Sequence, residues 1–517
     1  MLTKQLTQRP LLSILILAAF LRIVASFMSE GYLMHDDHFW VVEAAASWTD
    51  GADYNNWMPW SQKALGRTPK PHYTNLAYSS LHYLYFTAVK SIGLSDPMSM
   101  MLILRLIHGM ISLISVFLAF KITEALGGNR AAIWVGLAMA ALFWMPIMSV
   151  HQMVEIACIP PLLASTWFLI KQSKPLNIRS LVLSGAFLGI ATGLRYQVGV
   201  MGLGIVVAFV LDSSNETRIT SLRNSIILGG SAITVFALTQ LPTDLWLWGE
   251  PFAQLRAYIE YNLTESGNYP QGSTFKYLGL TLILLVPPIS IALVIGYFRN
   301  WRKLAIIVLP SLAFLIFHSA FPNKQERFIL PALPYILIAG TLGWLALRES
   351  SKLLKRKSSR IIEKVALIIS LTLNVILLSG LTIASKNTSE VEAMYYLKSV
   401  NDLDSFLFVT ADGVAFPPRF YSGSWKSYTI ADSTTNIAEQ RSTHINSVTG
   451  INPNYFVFVG DSHLGDLISR FKDEYPSLSY VAQFSPGRLD RIMNYLNPHN
   501  SLRRVMIYKI DSNIYTK

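Results

Sequence analysis

The sequence predicts an α-helical polytopic membrane protein with a small extramembrane α/β domain at its C-terminal end, and three observations carry that expectation. Of its 517 residues, 52% are hydrophobic and only 14% charged, against about 25% charged in soluble domains. Apolar stretches close to membrane length, about 20 residues, recur as far as about residue 384. Beyond about residue 385, acids and bases balance and no membrane-length apolar run follows.

The apolar stretches fall at 10–28, 98–120, 131–149, 152–170, 180–196, 197–211, 224–243, 276–298, 304–320, 328–347 and 364–384. The first follows Lys4 and Arg9 as a signal peptide would. It is long enough to span and no small-residue cleavage site follows it, so it reads as a retained helix. A further stretch, 75–93, carries Tyr78, His82, Tyr83 and Tyr85. That composition suits a helix lying at the membrane interface.

Charge decides the topology. With 75–93 not spanning there are eleven helices, and the connections holding Lys4 and Arg9, Lys121 and Arg130, Lys171, Lys174 and Arg179, Arg218 and Arg223, Arg299, Arg302 and Lys303, and the run from Arg348 to Arg360 all face one side. The positive-inside bias makes that side cytoplasmic. Residues 29–97 then form one long outward loop, with 244–275, 321–327 and everything after about 385 also outside. A loop of that length exceeds what a helix connection needs, and such loops tend to carry function. The segment from His38 to Trp48 has the pattern of a short amphipathic helix with Phe39, Trp40, Val42 and Ala46 toward lipid or core. The same clustering of cations between apolar segments explains the net charge of +12 without nucleic acid. The single cysteine, Cys158, excludes an intrachain disulfide framework.

In the C-terminal region, strand-like runs at Phe406–Thr410, Tyr455–Gly460, Leu478–Phe484 and Val505–Ile510 alternate with helical patterns at Glu390–Val400, Leu464–Tyr475 and Leu489–Leu496. This alternation predicts an α/β domain. Asp461, directly after a strand, reads as a helix cap.

Two short stretches carry the chemistry. Met34-His35-Asp36-Asp37-His38-Phe39-Trp40 sets two carboxylates between two imidazoles directly after the first apolar segment. Ionisable groups at a bilayer edge are costly unless solvated, paired or used, which makes the cluster a candidate site. Consecutive side chains diverge, so Asp36 and Asp37 are not expected to share one proton; one works as a base and the other supports it. Glu43 lies one or two helical turns further on. Divergence also argues against a metal: His and Asp are good ligands, yet no second cluster of ligand spacing stands out, so no cofactor is expected and a divalent ion is not favoured.

The second stretch is Phe321-Pro322-Asn323-Lys324-Gln325-Glu326-Arg327-Phe328, outward and directly before the tenth helix. Two cations here break the positive-inside trend. Lysine as a point charge and arginine as a planar fork suit a phosphate. A lipid-headgroup anchor is the plainer alternative. Glu155 and Arg195 lie near the outer ends of their helices and are placed to reach an outward cavity. Arg22 and Arg105 read as structural pairings.

At these residues the chain resembles the GT-C glycosyltransferases, specifically glycosyltransferase family 22, whose mannosyltransferases extend the lipid-linked oligosaccharide and the GPI glycan. Asp36-Asp37-His38-Phe39 is similar to the last four positions of that family's His-Pro-Asp-Glu-His-Phe-like motif, with Asp for Glu and Met34-His35 for His-Pro. Asn323-Lys324-Gln325-Glu326-Arg327-Phe328 is similar to its His-Lys-Glu-x-Arg-Phe motif, with Asn for His and Gln for the first Glu. Weaker echoes are Arg105-Leu106-Ile107-His108 and the stretch from Tyr261-Asn262 to Tyr277. The resemblance covers roughly residues 1–350 and stops short of the C-terminal domain.

The resemblance implies a GT-C fold and an inverting enzyme that takes a sugar, typically mannose, from a polyprenyl-phosphate donor within the membrane. The acceptor is then a lipid-linked or surface glycan, on the periplasmic, extracytoplasmic or lumenal side. It assigns catalysis to Asp36 and Asp37, and donor phosphate binding to Lys324 and Arg327 with Arg195. Supporting or acceptor roles fall to His35, His38, Glu43, Glu155 and Glu326. A transporter or flippase of lipid-linked saccharides is the alternative. Transporters tend to show paired halves and helices broken near the midplane, whereas here the ionic residues cluster outward and no half-to-half repeat occurs. Three sequons, at Asn215, Asn262 and Asn387, include one in an expected cytoplasmic loop and so say little of glycosylation.

Overall fold

All eleven apolar stretches fold as helix, some with interruptions, in the computed structural model, which describes residues 9–171, 176–211, 217–269, 271–411, 413, 415–440, 452–461, 463–498, 500 and 502–510. Lys4, Lys174 and the Asn215 sequon lie outside the described residues. The chain divides into two compact units. One comprises residues up to 26 with 56–78 and 105–382, the other residues 27–55, 79–104 and 383 onward.

The first unit is helical. Among the described residues, Pro10–Met28, Pro97–Ala141, Arg218–Trp248, Glu326–Ser350 and Lys357–Thr382 are long and apolar enough to cross a membrane, and Lys276–Leu284 with Ile289–Arg299 forms a further candidate bent by 119°. Shorter apolar helices cover Val154–Ile170, Ile178–Leu194, Tyr196–Leu211 and Ala305–Ala320. Leu76–Ser91, the segment read as interfacial, is not among them. Pro97–Ala141 is two helices meeting at Gly128, whose φ of 77° is open to glycine at little steric cost. The expected apolar stretches 98–120 and 131–149 lie on either side of this break.

Small residues set one close helix contact. Gly185, Gly189 and Gly193 stand four apart on Ile178–Leu194 and face Arg218–Trp248. A Cβ at Gly185 or Gly189 would lie 2.2 Å or 2.5 Å from the carbonyl oxygen of Leu228 or Ala232, and one at Gly193 would lie 2.3 Å from Thr239 Oγ1. Where apolar surface gives no driving force between helices, such spacing lets backbones pack in van der Waals contact.

The bend at 285–288 frees backbone groups that would be expensive in a bilayer. Ser370, from Lys357–Thr382, answers both ends of it: its Oγ donates to the Val286 carbonyl at 3.1 Å and accepts from the Ile289 amide at 3.0 Å. One turn on, Asn374 does the same at the end of Pro97–Ala141. Its Nδ2 donates to the Ala141 carbonyl at 2.8 Å and its Oδ1 accepts from the Phe143 amide at 2.9 Å. Arg22 is likewise consumed internally, bonding Ser112 Oγ at 2.6 Å and the carbonyls of Ala18, Ala140 and Met139 at 3.2 Å. Arg105 Nε donates to the Ser26 carbonyl at 2.8 Å.

In the second unit a five-stranded sheet has the order β2-β1-β3-β5-β4, with β1 Phe406–Thr410, β2 Tyr428–Asp432, β3 Tyr455–Gly460, β4 Ser479–Phe484 and β5 Arg504–Lys509. β1 pairs in parallel with β2 and β3, whereas β5 runs antiparallel to both β3 and β4. The four expected strands and the helices Thr388–Lys398, Leu464–Glu474 and Arg488–Leu496 form within a few residues of their predicted bounds. The edge strand β2 was not expected: only Ala431 in it is buried, and its sequence, with Thr429 and Asp432, carries no continuous apolar run like those of β1 and β3.

Both faces of β1 and β3 are covered, which is why every residue in them is buried. On one face Leu407, Val409, Phe456 and Phe458 pack with Leu464, Leu467, Ile468 and Phe471 of the following helix. On the other, Phe406, Phe408, Tyr455 and Val457 pack with Val391, Met394 and Leu397, and with Phe39, Val42, Ala46 and Phe86. The amphipathic segment expected at His38–Trp48 therefore turns its apolar side to a core. Backbone bonds fix its start: the Tyr32 amide donates to the Lys386 carbonyl and the Lys386 amide to the Glu30 carbonyl, each at 3.2 Å.

Candidate active site

Asp36 opens a helical segment whose first part, Asp37–Glu43, is a π-helix and whose second, Ala44–Thr49, is α. A π-turn bonds residue i to i+5 and frequently occurs at functional sites. It separates the two aspartates by environment: the Asp36 side chain is 30% exposed, with His35 Nδ1 at 3.6 Å, whereas Asp37 is buried. His35 is exposed and rests on Phe39, ring centroids 4.4 Å apart.

His38 and Glu43 face inward instead. His38 Nε2 lies 3.1 Å from Glu43 Oε1, which also accepts from the Phe420 amide at 2.9 Å. The His38 ring is stacked between Tyr32 at 4.7 Å and Tyr421 at 5.5 Å. Tyr32 donates its hydroxyl to Glu390, and Tyr54 donates to the Phe39 carbonyl at 3.0 Å. Burial, then the Glu390 charge, push the Tyr32 phenol well above its ordinary pKa; burial, then Glu43, do the same for Tyr54. Both remain neutral donors.

In the first unit the charged side chains come from irregular backbone at helix ends. Glu155 sits in the short turn Val154–Ala157, before Pro160 and Pro161 restart the helix. Arg195 stands where Ile178–Leu194 ends, in extended backbone at φ −142° and ψ 109°. Arg327 lies in the 3-10 segment Glu326–Ala332. These breaks bring three groups together: Arg195 Nη1 lies 2.9 Å and Arg327 Nε 3.8 Å from the same Glu155 Oε1. Glu155 is 3% exposed, Arg195 4% and Arg327 8%. Among the described residues Glu155 Oε2 has no hydrogen-bond partner.

Neighbouring groups orient the cations. Arg195 Nε donates to Gln197 Oε1 at 3.3 Å, and Gln197 in turn donates to Tyr258. Arg327 Nε donates to Gln325 Oε1 at 2.9 Å. Phe328 packs under both, its ring centroid 5.4 Å from the Arg195 guanidinium and 5.9 Å from that of Arg327. Lys324 is 6% exposed and its ammonium donates to the Phe321 carbonyl at 2.6 Å. Glu326 pairs with Lys276 at 2.9 Å, and Lys276 also donates to the Lys324 carbonyl at 2.7 Å.

The structure thus gathers Glu155, Arg195 and Arg327, and separately His38 with Glu43 and His35 with Asp36. Lys276, Gln197, Gln325, Tyr258 and Phe420 join them without having been expected. Phe420 carries no distinguishing signal of its own, whereas Gln325 stands inside the Asn323–Phe328 motif and Lys276 inside the Tyr261–Tyr277 stretch, from which both can be suspected. Among the described residues no three His, Cys, Asp or Glu side chains converge as metal ligands would.

Comparison with known proteins places this architecture. In three dimensions the chain is similar to ArnT from Cupriavidus metallidurans bound to undecaprenyl phosphate, with a TM-score of 0.63 at 13% identity, over 96% of this chain and 98% of that one. It is also similar to the Archaeoglobus fulgidus oligosaccharyltransferase tethered with an acceptor peptide, with a TM-score of 0.51 at 11% identity, over 88% of this chain and 69% of that one. At such identities the likeness concerns the fold: this is an integral, multi-pass membrane protein of the GT-C type. The model of the Alg9-like mannosyltransferase family matches residues 13–428, and the chain belongs to that family of glycosyltransferases. In sequence it is 24% identical over 330 residues to mannosyltransferase APTG1 of Arabidopsis thaliana, a match spanning 61% of this chain and 56% of that relative's length.

Proposed function

We propose that the protein is an inverting glycosyltransferase that moves a sugar, mannose by family, from a polyprenyl-phosphate donor to a hydroxyl of a lipid-linked or surface glycan at the extracytoplasmic face. The observation that carries this reading is the Lys324 ammonium: buried, bonded to a carbonyl oxygen, and without a carboxylate partner among the described residues. A buried cation without a counter-charge is costly, and an anionic ligand removes that cost. Lys324, Arg327 and Arg195 together suit a phosphate monoanion or diester. That ArnT, a protein of similar fold, binds undecaprenyl phosphate supports a lipid-borne phosphate as the anion.

In this reading Asp36, the more exposed of the two aspartates, takes the proton from the acceptor hydroxyl as its oxygen attacks the anomeric carbon. The bond from that carbon to the phosphate oxygen breaks and its electron pair leaves with the polyprenyl phosphate. Lys324 and Arg327 stabilise the charge gained there in a poorly hydrated setting, where preorganised cations act most strongly. Glu155 holds Arg195 and Arg327 in place.

Incubation of the purified protein with polyprenyl-phosphate mannose and candidate lipid-linked acceptors, followed by mass spectrometry, tests the proposal. A mass gain of one hexose on an acceptor, reduced about 10²–10³-fold in Lys324→Ala and Arg327→Ala, supports it. Near-normal turnover in both variants reduces the motif to a headgroup anchor.

A further inference from the structure

Two buried polar side chains near the cation group take no part in the reading above. Tyr277 is 2% exposed and His318 5%. Among the described residues neither the Tyr277 hydroxyl nor His318 Nε2 has a hydrogen-bond partner. They come from different helices, Lys276–Leu284 and Ala305–Ala320. Their rings meet edge to face with centroids 6.4 Å apart. The His318 ring is 5.9 Å from that of Phe328, the same ring that packs against the Arg195 and Arg327 guanidinium groups. His318 therefore stands one aromatic ring away from the cations, and Tyr277 packs against His318.

The tautomer of His318 says what it can bind. Its Nδ1 lies 3.0 Å from the Phe314 carbonyl oxygen. A carbonyl oxygen only accepts, so Nδ1 carries the proton and Nε2 of the neutral ring offers a lone pair. A lone pair repels an oxyanion but accepts a hydroxyl proton. The Tyr277 hydroxyl both donates and accepts. An oxyanion is thus served by the arginines and poorly by this pair, whereas an alcohol can satisfy both of its members. Buried polar atoms are nearly always satisfied in a working protein, which points to a partner supplied from outside the chain.

We infer that Tyr277 and His318 form a neutral subsite that holds a ring hydroxyl of the donor sugar beside the phosphate-binding cations. The inference rests on the donor reading above, because a sugar esterified to a phosphate held by Arg195 and Arg327 must present its hydroxyls within a few ångströms of them. A site built to pair a hydroxyl discriminates against an analogue that lacks it. The pair would then select the glycosylated lipid over the bare polyprenyl phosphate released as product.

Equilibrium binding of two lipids to the purified full-length protein tests this: polyprenyl-phosphate mannose and polyprenyl phosphate without sugar. Tyr277→Phe and His318→Phe should each weaken the mannosylated lipid about tenfold, the loss of roughly one hydrogen bond, while leaving the bare lipid unchanged. In the wild type, at least one monodeoxy-mannose donor should bind about tenfold more weakly, and Tyr277→Phe or His318→Phe should weaken that donor no further. The deoxy series keeps the test decisive should a variant fail to fold. Equal loss for both lipids, loss for neither, a change confined to the acceptor KM, or no sensitivity to any deoxy position overturns the inference while the donor reading stands. A wild type that binds neither lipid overturns both.

Discussion

Nε2 of His38 meets Oε1 of Glu43 at 3.1 Å across five residues, and both side chains are withdrawn from solvent. In an α-helix residues five apart point roughly 140° away from each other at about 100° per residue. The π-turns over Asp37–Glu43 bring them to one side. The pair locks the segment that follows Asp36 against Phe420, through the bond from its amide to Glu43.

Glu43→Ala should destabilise the full-length protein by about 3–5 kcal/mol, the usual cost of removing one partner of a buried pair. Glu43→Gln keeps an acceptor for the Phe420 amide and should cost distinctly less. Thermal unfolding in detergent separates the two; equal melting temperatures for Glu43→Ala and wild type would remove the pair from the account.

Ser370 answers both the Val286 carbonyl and the Ile289 amide at the 119° bend. Ser370→Ala should leave both groups unsatisfied and cost about 1–3 kcal/mol. The neighbouring Ser379 bonds within its own helix, to the Val375 carbonyl at 2.8 Å, so Ser379→Ala serves as control. Comparable losses in the two variants would show that bridging the break is unimportant.

Gly189→Ala places a methyl 2.5 Å from the Ala232 carbonyl oxygen. Parting the helices to relieve it should cost about 1–3 kcal/mol, the range for overpacking. Gly229, beside which no atom lies within 4 Å of an added Cβ, should tolerate alanine. Stability ranks measured on both variants check the order.

Asp96 provides a pH test. Burial opposes its ionisation, but hydrogen bonds from Lys398 at 2.8 Å, from the Ser99 amide and hydroxyl at 2.9 Å each, and from Tyr395 at 2.9 Å outweigh it and hold the carboxyl below the usual aspartate range. A carboxyl depressed on folding stabilises fully above its unfolded pKa, about 3.9, and loses that contribution as pH falls through this value toward the folded one. The stability difference between wild type and Asp96→Asn should therefore be constant near neutrality and shrink below about pH 4. A difference that does not change on acidification contradicts the assignment.

What the sequence could reveal divides along the range of the interaction. Apolar length located the helices, and short strand-like runs located β1, β3, β4 and β5, because both signals are local. The convergence of Glu155 and Arg195 was foreshadowed by their positions near outer helix ends. The π-turn was not, since Asp37–Glu43 carries no composition that sets it apart from an α-helix. The roles of Ser370 and Asn374 were equally hidden: Pro287 and Pro288 advertise a break, but which distant helix repairs it depends on tertiary packing. The packing of Phe39, Val42 and Phe86 on the sheet is of the same kind.

Asp36→Asn probes the proposed role of Asp36 as the base, because the amide keeps shape and hydrogen bonding while removing the basic site. Transfer of mannose from polyprenyl-phosphate mannose should fall at least about 10²-fold, with the protein folded, membrane-inserted and binding donor as the wild type does. Near-normal transfer by Asp36→Asn with loss in Asp37→Asn would exchange the two roles, and full activity in both would contradict the account.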